Sequence, residues 1–127
     1  MEDCGLRGLA LLDHELEFIE GRPHLWHQNQ WRCPDGQCVA SLACTLAGRE
    51  WLGDPGTEAG DYLALLPGEE PDAEASLAGI DGIHPSNAAR SLLGLGADHS
   101  WRLFAWGLTL EDLKAARDLL ARDGLIK

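Results

Sequence analysis

Asp35-Gly36-Gln37-Cys38-Val39-Ala40-Ser41-Leu42-Ala43-Cys44-Thr45-Leu46-Ala47 is the stretch that decides the fold. Val39, Leu42, Ala43 and Leu46 recur at the three-and-four spacing of one helical face. Ala40, Ser41, Cys44 and Ala47 keep the other faces small, so neighbouring elements can approach the helix closely. A segment of this kind belongs at the centre of a helical core. Asp35, following Pro34, is the expected cap of its first turn.

Upstream, Leu9, Leu12, Leu16 and Ile19 mark a second apolar stripe, with Asp13, Glu15, Glu17 and Glu20 assigned to the other faces. Gly21 is expected to supply a left-handed cap there, and Pro23 to forbid continuation. Downstream, the last third returns to helix. Pro85 suits a first helical turn, Ala88, Ala89, Leu92 and Leu93 follow, and Gly94 and Gly96 close the element. Asp98 is the expected cap of a short helix carrying Trp101, Phe104 and Ala105. Thr109 and Asp112 stand as a capping box, with Leu108 and Leu113 spaced as a hydrophobic staple. Leu113, Ala116 and Leu120 give the final helix its stripe, and Gly124 ends it.

Residues 53–83 break this pattern. No Lys or Arg lies between Arg49 and Arg90, while Asp54, Glu58, Asp61, Glu69, Glu70, Asp72, Glu74 and Asp81 crowd a Gly- and Pro-punctuated stretch. Its apolar runs, residues 62–66 and 77–83, read as two short extended segments joined by an acidic loop. The expected fold is therefore mainly α. It is one compact domain over residues 1–127, with about five helices and a central acidic loop at 53–83 that can pair as a small β-hairpin.

Composition narrows the class of function. At 127 residues the chain can bury one core without crosslinks. No stretch has the apolar length of a membrane span, and Met1-Glu2-Asp3-Cys4 opens with acids where a secretory leader carries Lys or Arg. These features predict a cytoplasmic address, where Cys4, Cys33, Cys38 and Cys44 stay reduced. A formal charge of −11 repels nucleic-acid backbones and anionic lipid, and it favours a partner protein with a basic surface. A helix-turn-helix reading of residues 89–104 fails on its details. Arg90 and Ser100 fall where small and β-branched apolar residues belong, and the recognition position carries Trp101, Leu103 and Phe104.

Gln30-Trp31, Cys33, Cys38-Val39-Ala40, Ala89, Leu92-Leu93-Gly94-Leu95, Leu103-Phe104 and Thr109 with Asp112-Leu113 form a set that resembles a loose family of uncharacterised small proteins from actinobacteria and their phages. In that family a Cys-Gly pair precedes a helix opening with Cys, an apolar residue, Ala and Gly. Here Pro34 and Ser41 stand at the two Gly positions. The resemblance spans roughly residues 9–120 and implies the helical fold and the cytoplasmic address. It implies no activity.

Three sites stand out. His24, His27, Cys33 and Cys38 supply four zinc-type donors within 15 residues. Cys38, in an early helical turn, has the placement of a cysteine-hydrolase nucleophile, with Gln28, Gln30 or Gln37 as oxyanion donor and His84 or His99 as base. Trp26 and Trp31 flank a polar loop where they either pin it or meet a partner, whereas Trp101 and Trp106 are expected in or at the edge of the core. The leading expectation is a protein that works by protein–protein binding, as an inhibitor, immunity protein or phage-type modulator does. Its contacts would be Trp26, Trp31, Glu69, Glu70, Asp72 and Glu74, with no catalytic residue and no cofactor. The zinc module and the cysteine hydrolase are the alternatives.

Overall fold

The computed structural model describes residues 2–28, 31–33, 36–55 and 57–127, with Arg32 and Cys33 described through their backbone only. Among them are six α-helices: α1 (Gly8–Gly21), α2 (Val39–Leu46), α3 (Ala73–Leu77), α4 (Pro85–Leu93), α5 (Ala97–Phe104) and α6 (Leu110–Arg122). Two antiparallel ribbons of two residues per strand accompany them. β1 (Arg32–Cys33) pairs with β2 (Gly36–Gln37), and β3 (Leu63–Ala64) pairs with β4 (Gly82–Ile83). The mainly helical architecture is the one the apolar spacing predicts.

α2 is the hub. All its residues except Thr45 are buried, and it packs against α1, α4 and α5. The small side chains at Ala40, Ala43 and Cys44 are fully buried, which is what lets α4 lie so closely along it. Leu11, Leu12, Leu16 and Ile19 of α1 close one side of the core, and Leu113 and Leu120 of α6 close the far side of α1. No helix among the described residues is long and apolar enough to cross a membrane.

Helix ends show which local signals prevail. The capping box on α6 forms as expected: the Thr109 hydroxyl accepts from Asp112 N–H and the Asp112 carboxylate accepts from Thr109 N–H. Gly94 closes α4 with φ of 70°, a left-handed cap that a side chain would strain. Elsewhere the expected caps move. α2 starts at Val39 with Cys38 at its N-cap, three residues beyond Asp35, because Gly36 and Gln37 are drawn into the ribbon with Arg32 and Cys33. Asp35 itself lies outside the described residues. Gly36 has a further reason to be glycine, since a Cβ there would sit 2.6 Å from the Leu25 carbonyl oxygen. Gly96, not Asp98, caps α5. Gly21 stays helical, and Arg22 forms the C-cap of α1 ahead of Pro23.

The acidic stretch pairs as a hairpin through Leu63–Ile83 and Ala64–Gly82. Its connection is more than a loop, for α3 forms within it, capped by Asp72, whose carboxylate accepts from Ala75 N–H.

Candidate functional site

Gln28 shows how the loop before α2 is built. Its side chain is almost wholly buried and fully bonded. Nε2 donates to the carbonyls of Leu103 and Ala105, and Oε1 accepts from Val39 N–H and from the Trp26 indole. One amide thus closes the N-terminus of α2 and the C-terminus of α5, so Gln28 acts as a structural clip and has no donor left for an oxyanion. Trp26 is pinned by that bond. Trp31 is pinned by an edge-on contact with the His84 ring at 4.6 Å.

Cys38 sits beside the clip with no solvent exposure, its thiol donating to the Ser41 hydroxyl at 3.7 Å. Burial pushes its pKa up, against the pull of its bonds at Ser41 and Ala40. A thiolate nucleophile needs the opposite environment. Neither base proposed for it is bonded to it: His84 is bonded to the Ser86 hydroxyl, and His99 has a buried Nδ1 without a partner. His24 is exposed on the short 3-10 turn at Pro23–Leu25, and His27 is half-buried against Gly36. Among the described residues no three side chains of His, Cys, Asp or Glu gather as a metal site. The Cys33 thiol, the fourth donor of the expected zinc set, lies outside those residues.

Three of the four acids expected to face a partner are engaged by the chain itself. Glu69 Oε1 accepts from Arg49 at 2.8 Å and from Leu66 N–H at 2.7 Å. Asp72 takes three donors, Ala75 N–H, His84 N–H and the Asn87 amide. Burial alone would raise its pKa, but these bonds outweigh it and hold the carboxyl below the ordinary value. Glu74 shares the same Asn87 amide at 2.8 Å, and Glu70 is exposed. His84, edge-on to both Trp31 and Tyr62, has its pKa lowered by burial despite the carboxylates of Glu74, Asp72 and Asp61 around it. Glu69, Asp72 and Glu74 of the acidic stretch therefore belong to a bonded polar cluster joining α3, α4 and the β3–β4 ribbon.

The tryptophans reverse their expected roles. Trp101 and Trp106 are 62% and 60% exposed, whereas Leu103 and Phe104 take the core side of α5. Helical geometry explains the exchange: Phe104 and Leu103 fill the space over α2 and α6, and Trp101 falls on the outer face. Its indole donates to the Asp98 carbonyl and Arg102 stacks on its ring at 5.6 Å. Around this corner Asp98, Glu111 and Asp112 are exposed.

A second residue escaped the sequence reading. Glu15 is fully buried on α1, both carboxylate oxygens lacking a partner. Lying three residues after Leu12 and four before Ile19, it shares their face, and that spacing was legible. Burial pushes its pKa well up, with the Cys4 thiol adding to the effect.

No protein-family model matches the chain, and no curated protein or solved structure compared with it is significantly similar.

Proposed function

We propose that the protein works by binding another protein, as a small acidic inhibitor, immunity protein or phage-type modulator of the cytoplasm. The contact is placed at the α5–α6 corner, not in the acidic excursion. The observation that carries this reading is the pair Trp101 and Trp106, two large rings held in water five residues apart. Exposed tryptophan is uncommon, and tryptophan dominates the centres of protein interfaces. Asp98, Glu111 and Asp112 around the pair, on a chain of net charge −11, favour a partner whose apolar pocket is rimmed by Lys and Arg.

The test compares the parent chain with the double variant Trp101→Ser, Trp106→Ser in capture from a bacterial lysate. The partner retained by the parent is expected to be lost by the variant at unchanged Tm, and to associate several-fold more slowly as NaCl rises from about 0.05 to 0.3 M. Undiminished capture by the double variant places the contact elsewhere. Capture that ignores salt removes the electrostatic part of the mechanism.

A further inference from the structure

A cleft of about 360 Å³ opens between α4 and the β3–β4 ribbon, on a different part of the surface from the tryptophan corner. Its volume is at the lower end for ligand sites, which suits a small molecule. Arg49 is built into it. The Arg49 side chain is only 10% exposed, and Nη2 bridges Glu69 Oε1 and the Ala64 carbonyl at 2.8 and 3.2 Å. Nε is sealed from water without a partner, whereas Nη1, unbonded among the described residues, stays open to solvent. Nη1 is therefore the guanidinium nitrogen that a ligand in the cleft can reach, and its two protons are the donors on offer.

The walls say what that ligand carries. Glu69 and Asp72 line the same cleft as Arg49, and Asp72 is held ionised by its three donors. A simple anion would satisfy Arg49 but face two carboxylates, and a simple cation would face Arg49. A ligand bearing both signs a few bonds apart meets both. The remaining walls, Leu66, Ile83 and Leu92, are aliphatic, and Ser91 stands at the edge with an exposed side chain.

We propose that this cleft binds a small zwitterion, an α-amino acid with an aliphatic side chain, its carboxylate on Arg49 and its ammonium towards Glu69 and Asp72. The site is independent of the protein-binding role and stands or falls without it. Arg49 Nη1 furnishes charge-assisted donors for the carboxylate. The aliphatic walls take the side chain.

Titration of the uniformly ¹⁵N-labelled chain with L-leucine tests the site, with 4-methylpentanoate and 3-methylbutylamine as probes of each charge alone. Leucine is expected to shift the Arg49 Nε–Hε signal, the Asn87 amide and the Ser91 backbone, with a Kd of about 1 mM or lower, and each single-charge probe to bind at least about tenfold more weakly. Ser91→Trp, which fills the cleft from its exposed edge, is expected to abolish the shifts while leaving the rest of the spectrum in place. Arg49→Lys is expected to weaken binding by about tenfold or more. Should that variant unfold, Ser91→Trp decides alone. No saturable shift up to about 20 mM leucine overturns the proposal. So does 4-methylpentanoate binding as tightly as leucine, or leucine binding undiminished by Ser91→Trp.

Discussion

Glu15 is the residue whose chemistry is most at odds with its place. A carboxyl sealed in a core without a donor is more stable protonated, so its folded pKa lies well above the ordinary value near 4.3. Between those two values the unfolded chain has released the proton and the folded one has kept it. Stability is then fully present below about pH 4.3 and falls by about 1.4 kcal/mol per pH unit as pH rises towards the folded pKa. His84, whose pKa is lowered, contributes the opposite slope near neutrality, so the comparison must be between variants. Urea denaturation at pH 5 and pH 7 is expected to show a steeper loss for the parent than for Glu15→Gln. Glu15→Met is expected to be more stable than the parent at pH 7 by about 1–3 kcal/mol. Equal slopes in parent and Glu15→Gln would mean that the carboxyl finds water. The thiols give a second residue-scale expectation. Cys38 and Cys44 are fully buried and burial raises both pKa values, whereas Cys4 is half-exposed. Alkylation at neutral pH is therefore expected at Cys4 well before either of them, with Cys38 and Cys44 reacting only on unfolding. Rapid modification of Cys38 would restore the nucleophile reading.

Among the elements, the junction between α2 and α5 rests on one amide. Replacing Gln28 by Ala strands the Val39 N–H, the Trp26 indole and two carbonyls together, and is expected to cost about 2–4 kcal/mol. Gln28→Glu keeps the acceptor but turns a donor into a second acceptor opposite Leu103 and Ala105, so it should be destabilising as well. If Gln28→Ala cost under about 0.5 kcal/mol by urea denaturation, water would be replacing the clip. The same junction shows what the sequence disclosed. Periodicity and the Thr109–Asp112 box are local, so α1, α2, α4 and α6 could be read directly. Asp35 failed as a cap because the choice between a turn of helix and a ribbon with Arg32–Cys33 depends on Leu25 and His27 packing over Gly36, contacts that no window around Asp35 contains. The site was harder still. Gln28 bonds residues 75 and 77 positions away, and Arg49, Glu69, Asp72 and Asn87 meet only after β3 and β4 pair. The charge of the acidic stretch was visible, but its internal bonding was not.

For the molecule as a whole, the imbalance of 21 acids against 10 bases decides how it responds to salt. Most of its ion pairs, such as Asp3–Arg7 and Lys114–Glu20, are solvent-exposed and contribute little. The partly buried Arg49–Glu69 pair is screened weakly by ions. Repulsion among the unpaired carboxylates, by contrast, acts over the whole surface and is progressively lost as the Debye length falls from about 10 Å at 0.1 M to about 3 Å at 1 M. Folding concentrates this charge, so screening favours the folded state. Raising NaCl from about 0.05 to 0.5 M is expected to increase Tm by about 2–5 °C. Glu58→Lys with Glu70→Lys, both exposed positions in the stretch that lacks Lys and Arg, should raise Tm at low salt and shrink the salt effect. A Tm that falls with NaCl would mean that the ion pairs outweigh the repulsion, and the surplus of negative charge would then have to be explained by what the protein binds.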